Sequence, residues 1–181
     1  DYFGFYSKSD YCNDINKLCQ YSKKNKLVKI ICKSQFTKNN ASITCCSEDL
    51  NYLIKEKKWI EPSFGNFRNL IFPSEASMLS NIAIAQAVGG TAALETALIG
   101  GRCILINPHK IKNENIEILE KENLIFSNIQ EALEAVDEFR IGNLDFKDLG
   151  NWERIIHLFD SYRDEKTSER LKKKIENILL N

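Results

Sequence analysis

The chain has 181 residues, enough for one domain with a full core. Its 43% hydrophobic and 28% charged residues give the balance of a soluble globular protein, not of a disordered chain. With 25 basic and 25 acidic residues the formal charge is zero, so no nucleic-acid partner is expected. The basic clusters Lys23-Lys24-Asn25-Lys26 and Lys172-Lys173-Lys174 read as solvated faces. No run approaches the roughly 18 apolar residues that a membrane-spanning helix needs. Six cysteines stand at 12, 19, 32, 45, 46 and 103, with no C-x-x-C pair and no histidine at metal spacing. Free buried thiols in a reducing cytoplasm are therefore expected, with the adjacent Cys45-Cys46 pair unexplained. The start at Asp1, without a methionine, carries the expectation of a piece cut from a longer two-domain protein.

In chain order, Tyr2 to Ser7 is aromatic and predicts an opening strand. Asp10 to Lys24 predicts a helix, with Tyr11, Ile15, Leu18 and Cys19 on one face. Leu27 to Cys32 is β-branched and predicts a strand that delivers Lys33-Ser34-Gln35 at its C-terminal end, where α/β sheets place ligands. Thr37 to Ser47 is polar and reads as a loop. Ser47 opens a helix to about Lys58, Glu61 to Arg68 is a turn region, and Asn69 to Phe72 reads as a short strand.

The densest signal runs from Phe72 to Pro108. Ser74 reads as the cap of a short helix to Leu79. Ile82 to Ala87 is an apolar run suited to a parallel strand covered on both faces. Gly89-Gly90-Thr91 then turns into a helix with Leu94, Ala97 and Leu98 on one face, ended by Gly100-Gly101. Cys103 to Ile106 is the next buried strand. A strand, a glycine turn and a helix N-terminus aim backbone N–H groups and a positive dipole end at one spot, which suits a phosphate. Beyond it come a helix at Asn113 to Glu122, a strand at Leu124 to Ser127 and a helix at Gln130 to Phe139. A loop at Arg140 to Gly150 follows, and two closing helices span Trp152 to Tyr162 and Ser168 to Leu180. The last carries Leu171, Ile175, Ile178 and Leu179 as a stripe. The alternation predicts an α/β class: a three-layer, Rossmann-like domain over residues 1–181, with a parallel sheet and helices on both faces.

The string A-V-G-G-T-A-A-L-E-T-A-L-I-G-G-R-C-I-L-I-N resembles the donor-binding segment of GT-B glycosyltransferases. Phe159-Asp160-Ser161-Tyr162-Arg163-Asp164-Glu165-Lys166 resembles a closing motif of bacterial surface-polysaccharide transferases and CDP-glycerol glycerophosphotransferases, with Glu165 in a glycine position. The resemblance covers roughly Leu27 to Asn181. It implies the C-terminal, donor-binding half of a GT-B fold, acting in surface polysaccharide biosynthesis. Gly89, Gly90, Thr91 and Ala92 would hold the donor diphosphate, and Glu95 the ribose hydroxyls, since a carboxylate accepts from a diol with both oxygens. Lys33 matches a Lys-Pro-His-like segment, although its Pro and His are replaced by Ser34 and Gln35, and Asn81 stands where an Asp often precedes the strand.

The implied substrate is a nucleoside-diphosphate sugar or a CDP-polyol, with no cofactor and a glycan or lipid-linked acceptor. No Asp-x-Asp motif is present, and the mechanism implied is metal-independent. The general base is expected from a missing N-terminal domain, so the chain alone is expected to be inactive. Location at the cytoplasmic side, with peripheral association of the full-length protein at the inner face of the membrane, is a further expectation. Two other readings stay open: a sugar-nucleotide 2-epimerase-like enzyme, and a non-catalytic α/β interaction domain. His109, at a strand's C-terminal edge, faces either the cleft or solvent; Lys33 is either a donor contact or a solvated lysine. Ser77 and Ser80 are weaker ligand candidates. His157, Trp59 and Trp152 read as packing residues, and Arg163, Asp164, Lys166 and Arg170 as a salt-bridge network pinning the last helix.

Overall fold

The computed structural model describes residues 7–34, 39–45, 47–62, 71–88, 90–162 and 164–179. Its centre is the strand Cys103–Ile106, whose four residues are all buried. The order along the chain is α1 (Lys8–Lys24), β1 (Ile30–Ile31), α2 (Ala41–Thr44), α3 (Glu48–Lys55), β2 (Trp59–Ile60), α4 (Pro73–Ser77), β3 (Ala83–Gln86), α5 (Thr91–Leu98) and β4 (Cys103–Ile106). It continues with α6 (Glu114–Lys121), β5 (Ile125–Phe126), α7 (Ile129–Arg140), α8 (Ile156–Phe159) and α9 (Thr167–Leu179). Strands alternate with helices, and every strand pair is parallel.

Among the described residues the strands form two sheets, β1-β2 and β3-β4-β5, where the sequence predicts a single one. In the larger sheet β4 is central, with Ala83 opposite Cys103 and Leu105 opposite Ile125. Side chains alternate across a strand, so β4 feeds two cores. Cys103 and Leu105 pack with Ala93 and Ala97 of α5, Leu119 of α6, Trp152 and Ile156. Ile104 and Ile106 pack on the other face with Ile129, Ala132, Leu133 and Val136 of α7, and with Leu18 and Tyr21 of α1. Helices thus cover both faces of β4. The third core, with Ile15, Cys19, Leu50, Leu53 and Trp59, joins the small sheet to α1 and α3. The two parts are tied where the Tyr21 hydroxyl donates to Asp137 at 2.6 Å and the Arg140 guanidinium reaches both Asp137 and Asn25.

The predicted helix at Asp10–Lys24, the strand Cys103–Ile106 and the helix at Asn113–Glu122 appear within two residues, each helix capped by a side chain: Ser7 for α1, Asn113 for α6. Other expectations change. The strand expected from Leu27 shrinks to Ile30–Ile31, and Leu27 lies 91% exposed in the preceding turn. The helix expected to run to about Lys58 ends at Lys55, with Lys57 at a positive φ, and Trp59–Ile60, which the sequence reading leaves unassigned, pairs as a strand. The expected loop at Thr37 to Ser47 contains α2. Ser74 lies inside α4, whose cap is Phe72 with Pro73 at the first helical position; the Glu75 carboxylate accepts the Phe72 N–H at 2.7 Å. Trp152 to Tyr162 holds only the short α8, and His157 is exposed, not packed. α5 buries Ala93, Thr96 and Ala97, leaving Leu98 outside, since small residues let the helix approach β3 and β4 closely. The expected strands at Tyr2 to Ser7 and Asn69 to Phe72 fall largely outside the described residues, and Ile71 and Phe72 are not in a strand.

The free-thiol reading holds for Cys19, Cys32 and Cys103 and fails for Cys12 and Cys45, which form a disulfide. The packing of α1 on α2 brings their Cα atoms to 5.3 Å, within bridging distance, across 33 positions of sequence. Cys46 lies outside the described residues. Trp59 and Trp152 are core residues as expected, 3% and 4% exposed. The Trp152 indole N–H donates to the Cys103 carbonyl at 2.7 Å, so burial costs it no bond.

Candidate functional site

The site expected at the turn after β3 begins with backbone. Gly90 caps α5, with φ −56° and ψ 15°, and no side chain caps the helix. Among the described residues the Leu94 N–H bonds the Gly90 carbonyl, and Thr91, Ala92 and Ala93 form the first turn, at the positive end of the dipole. Thr91 is exposed, Ala92 half-buried and Ala93 fully buried, so the first two line the accessible side of the turn. Gly89 lies outside the described residues. A Cβ on Gly90 would meet only the Ala87 carbonyl oxygen, at an ordinary 3.6 Å. Neither the backbone angle nor packing among the described residues therefore demands glycine at position 90.

Glu95 stands one turn into α5, half-buried. Lys33, two residues beyond β1, is half-buried as well, and its pKa is lowered from 10.5 because burial disfavours the ammonium; the negative charge of Glu95 works against that shift. Two residues singled out 62 positions apart are thus within electrostatic reach of each other. Next to Lys33, the Ser34 hydroxyl donates to the Asn39 carbonyl at 3.2 Å, which also accepts from Tyr11. Asn40 follows, 6% exposed, with its Oδ1 unpartnered among the described residues. A buried amide oxygen left without a donor costs about 1–3 kcal/mol, and among the described residues none donates to it.

His109 is exposed, three residues past β4. It lies close enough to Asp10, in the first turn of α1, for its charge to help hold that carboxyl below its ordinary value; the Ser7 hydroxyl bond is the main cause. The loop carrying His109 is set by Asn107, which the sequence reading did not single out. Asn107 is 6% exposed; its amide donates to the Ile111 carbonyl and its Oδ1 accepts the Ile111 N–H, both at 2.9 Å. The signal available in sequence was an Asn-Pro pair at the end of an apolar strand.

Ser77 and Ser80 leave the list of ligand candidates. The Ser77 hydroxyl donates to Ser74 and that of Ser80 to Ser77, closing the end of α4. Ser77 also lies 3.5 Å from where a Gly101 Cβ would be, at the N-terminal side of β4 and away from the glycine turn. Asn81 is exposed before β3. Of the network expected at the last helix, one ion pair forms: Arg170 holds both oxygens of Asp164, at 2.7 and 2.8 Å, with its guanidinium 4.0 Å from the Tyr162 ring centre, while Lys166 gives Asp164 only its backbone N–H and Arg163 lies outside the described residues.

Two recesses of about 260 Å³ open elsewhere. One lies beyond β4 and β5, lined by Asn107, Lys110, Lys112, Glu120 and Phe126. The other lies among Lys23, Lys26, Tyr52 and Lys58, at the C-terminal end of α1. Neither is lined by Lys33, Glu95 or α5, and both fall below the usual 300–1,000 Å³ of a small-molecule site. Among the described residues no group of three or more His, Cys, Asp or Glu is placed to hold a metal ion, and no helix is long and apolar enough to cross a membrane. No family model matches this sequence, and neither a curated protein nor a solved structure matches it.

Proposed function

We propose that this chain is the donor-binding half of a GT-B transferase that moves a sugar or polyol phosphate from a nucleoside diphosphate in bacterial surface polysaccharide synthesis. The observation that carries the reading is that Lys33 and Glu95, 62 positions apart in sequence, come within electrostatic reach of each other near the first turn of α5. A diphosphate at Gly90, Thr91 and Ala92 would accept from backbone N–H groups, with Lys33 supplying a counter-charge. Glu95, one turn further on, would take the ribose diol. During displacement at the donor's reactive centre, the charge growing on the leaving diphosphate is stabilised by the same N–H groups and by the helix dipole. In this reading the domain is Rossmann-like, works at the cytoplasmic side, and receives its acceptor and general base from another domain. In the same reading His109 would meet the acceptor side of the donor.

The test is a thermal-shift and calorimetry panel of UDP, CDP, GDP, UMP and CMP against the wild type and Glu95→Ala. Stabilisation by one base, lost in the variant, supports the reading and names the base. Stabilisation that survives intact in Glu95→Ala removes Glu95 from the site.

A further inference from the structure

A formal charge of zero, from which no nucleic-acid partner is expected, hides an uneven distribution at the N-terminal edge of the small sheet. The stretch from Lys23 to Lys29, where α1 passes into β1, holds four lysines and no acid. The stretch from Lys55 to Lys58, where α3 passes into β2, holds three lysines around one acid, Glu56. Parallel pairing of β1 with β2 sets these two runs side by side. The Ile30 N–H donates to the Lys58 carbonyl at 2.8 Å, and the Lys58 ammonium donates to the carbonyls of Ser22 and Asn25 at 2.6 and 3.3 Å. Two basic runs that are separate in sequence thus become one charged surface.

Between them opens the recess of about 260 Å³ lined by Lys23, Lys26, Tyr52 and Lys58. Tyr52 is 52% exposed, with the Lys23 ammonium 5.7 Å from its ring centre. Asp49 holds Lys23 at 2.6 Å and offsets one of the three lining charges. Lys26 is exposed and makes no ion pair among the described residues.

We propose that this end of the fold binds single-stranded nucleic acid, with a backbone phosphate among Lys23, Lys26 and Lys58 and a base against the Tyr52 ring. Lysine presents a compact charge that meets a phosphate from any direction, whereas the fork of arginine grips a carboxylate best. Neither run contains an arginine, which favours a phosphate chain over an acidic peptide. An exposed ring beside the cations adds a stacking platform that a base can use and a bare phosphate chain cannot. The proposal is independent of the nucleotide reading, since neither Lys33, Glu95 nor α5 lines this recess.

The test is fluorescence anisotropy of the 181-residue chain with labelled oligothymidylate of about 12 nucleotides, within the span of a single-strand site. Binding is expected at about 50 mM salt and should weaken as salt rises, with a log–log slope of about −2 for three phosphates neutralised. Lys26→Gln should bring that slope down by about 0.7, the share of one phosphate. Lys24→Glu with Lys26→Glu should weaken binding at least about tenfold while leaving the melting temperature unchanged, because both side chains are exposed. Tyr52→Leu should weaken it at least about fivefold, the low end for one stacked base, and Tyr52→Phe should keep the wild-type affinity. No binding at the lower salt, or binding undisturbed by the Lys24 and Lys26 reversal or by Tyr52→Leu, overturns the proposal. So does polyglutamate that displaces the probe as well as unlabelled oligothymidylate does at equal charge, which would mark a surface for acidic peptides instead.

Discussion

Asn107 and Ile111 clasp each other through two hydrogen bonds of 2.9 Å, one in each direction, at the C-terminal end of the central strand. The clasp holds the loop of Pro108, His109 and Lys110, in which Lys110 takes a φ of 50°. Asn107→Ala removes both bonds from a buried position. The expected loss is about 1–3 kcal/mol, or several degrees in melting temperature. Asn107→Asp, which keeps one acceptor, should lose less. Thermal denaturation of the two variants checks the order.

Gly90→Ala separates a turn that needs glycine from a turn that needs space for a ligand. The φ of −56° suits alanine, and the new Cβ meets only the Ala87 oxygen at 3.6 Å. A weaker cap and a stiffer unfolded chain oppose one another, so stability should move by less than about 1 kcal/mol. Nucleotide affinity should fall at least about tenfold, because the methyl group would stand where the diphosphate approaches the backbone. Paired calorimetry and melting curves read both quantities. A variant that is destabilised but still binds would sink this account of the glycine turn.

Three thiols make the fold sensitive to alkali. Burial pushes Cys19 up to about 11, and Cys32 and Cys103 up to about 12, from an ordinary 9.0. The unfolded chain therefore loses these protons at lower pH than the folded one does. Stability is whole below pH 9.0 and falls as pH rises from there toward the folded values. The Tyr21 phenol, raised to about 12 by burial and its bond to Asp137, adds to the loss above pH 10.0. Chemical denaturation across pH 7 to 11 should show this decline, and Cys32→Ala should make it shallower.

The Cys12–Cys45 bridge closes a loop of 33 positions, worth about 4 kcal/mol on chain-entropy grounds. Cys12→Ala with Cys45→Ala should lower stability by up to that amount, and dithiothreitol should lower the wild type to match. A reducing compartment would hold the pair as thiols, so the two forms report what the protein gains outside one.

The parts of the fold that could be read from sequence are those where local pattern and tertiary demand agree. Cys103–Ile106 is apolar throughout because helices cover both of its faces, and burial of that kind leaves a continuous run. α1, α6 and α7 carry both a periodic face and a capping Ser or Asn. Trp59–Ile60 escaped because two paired residues leave no period to count. The disulfide escaped because 33 positions of spacing say nothing about how α1 meets α2. The strand, turn and helix of β3, Gly90 and α5 were legible from their apolar run and glycine turn. Asn107 and Asn40 were not, since a buried asparagine is recognised by its partners, or by the lack of one.

The most direct measurement is amide NMR mapping of the ¹⁵N-labelled chain titrated with the nucleoside diphosphate that stabilises it best. The account predicts that shifts concentrate at Gly90, Thr91, Ala92, Glu95, Lys33 and Ser34, and that His109 responds at the rim. Shifts confined to the recess around Lys110 and Phe126, or no response to any nucleoside diphosphate at millimolar concentration, would contradict it.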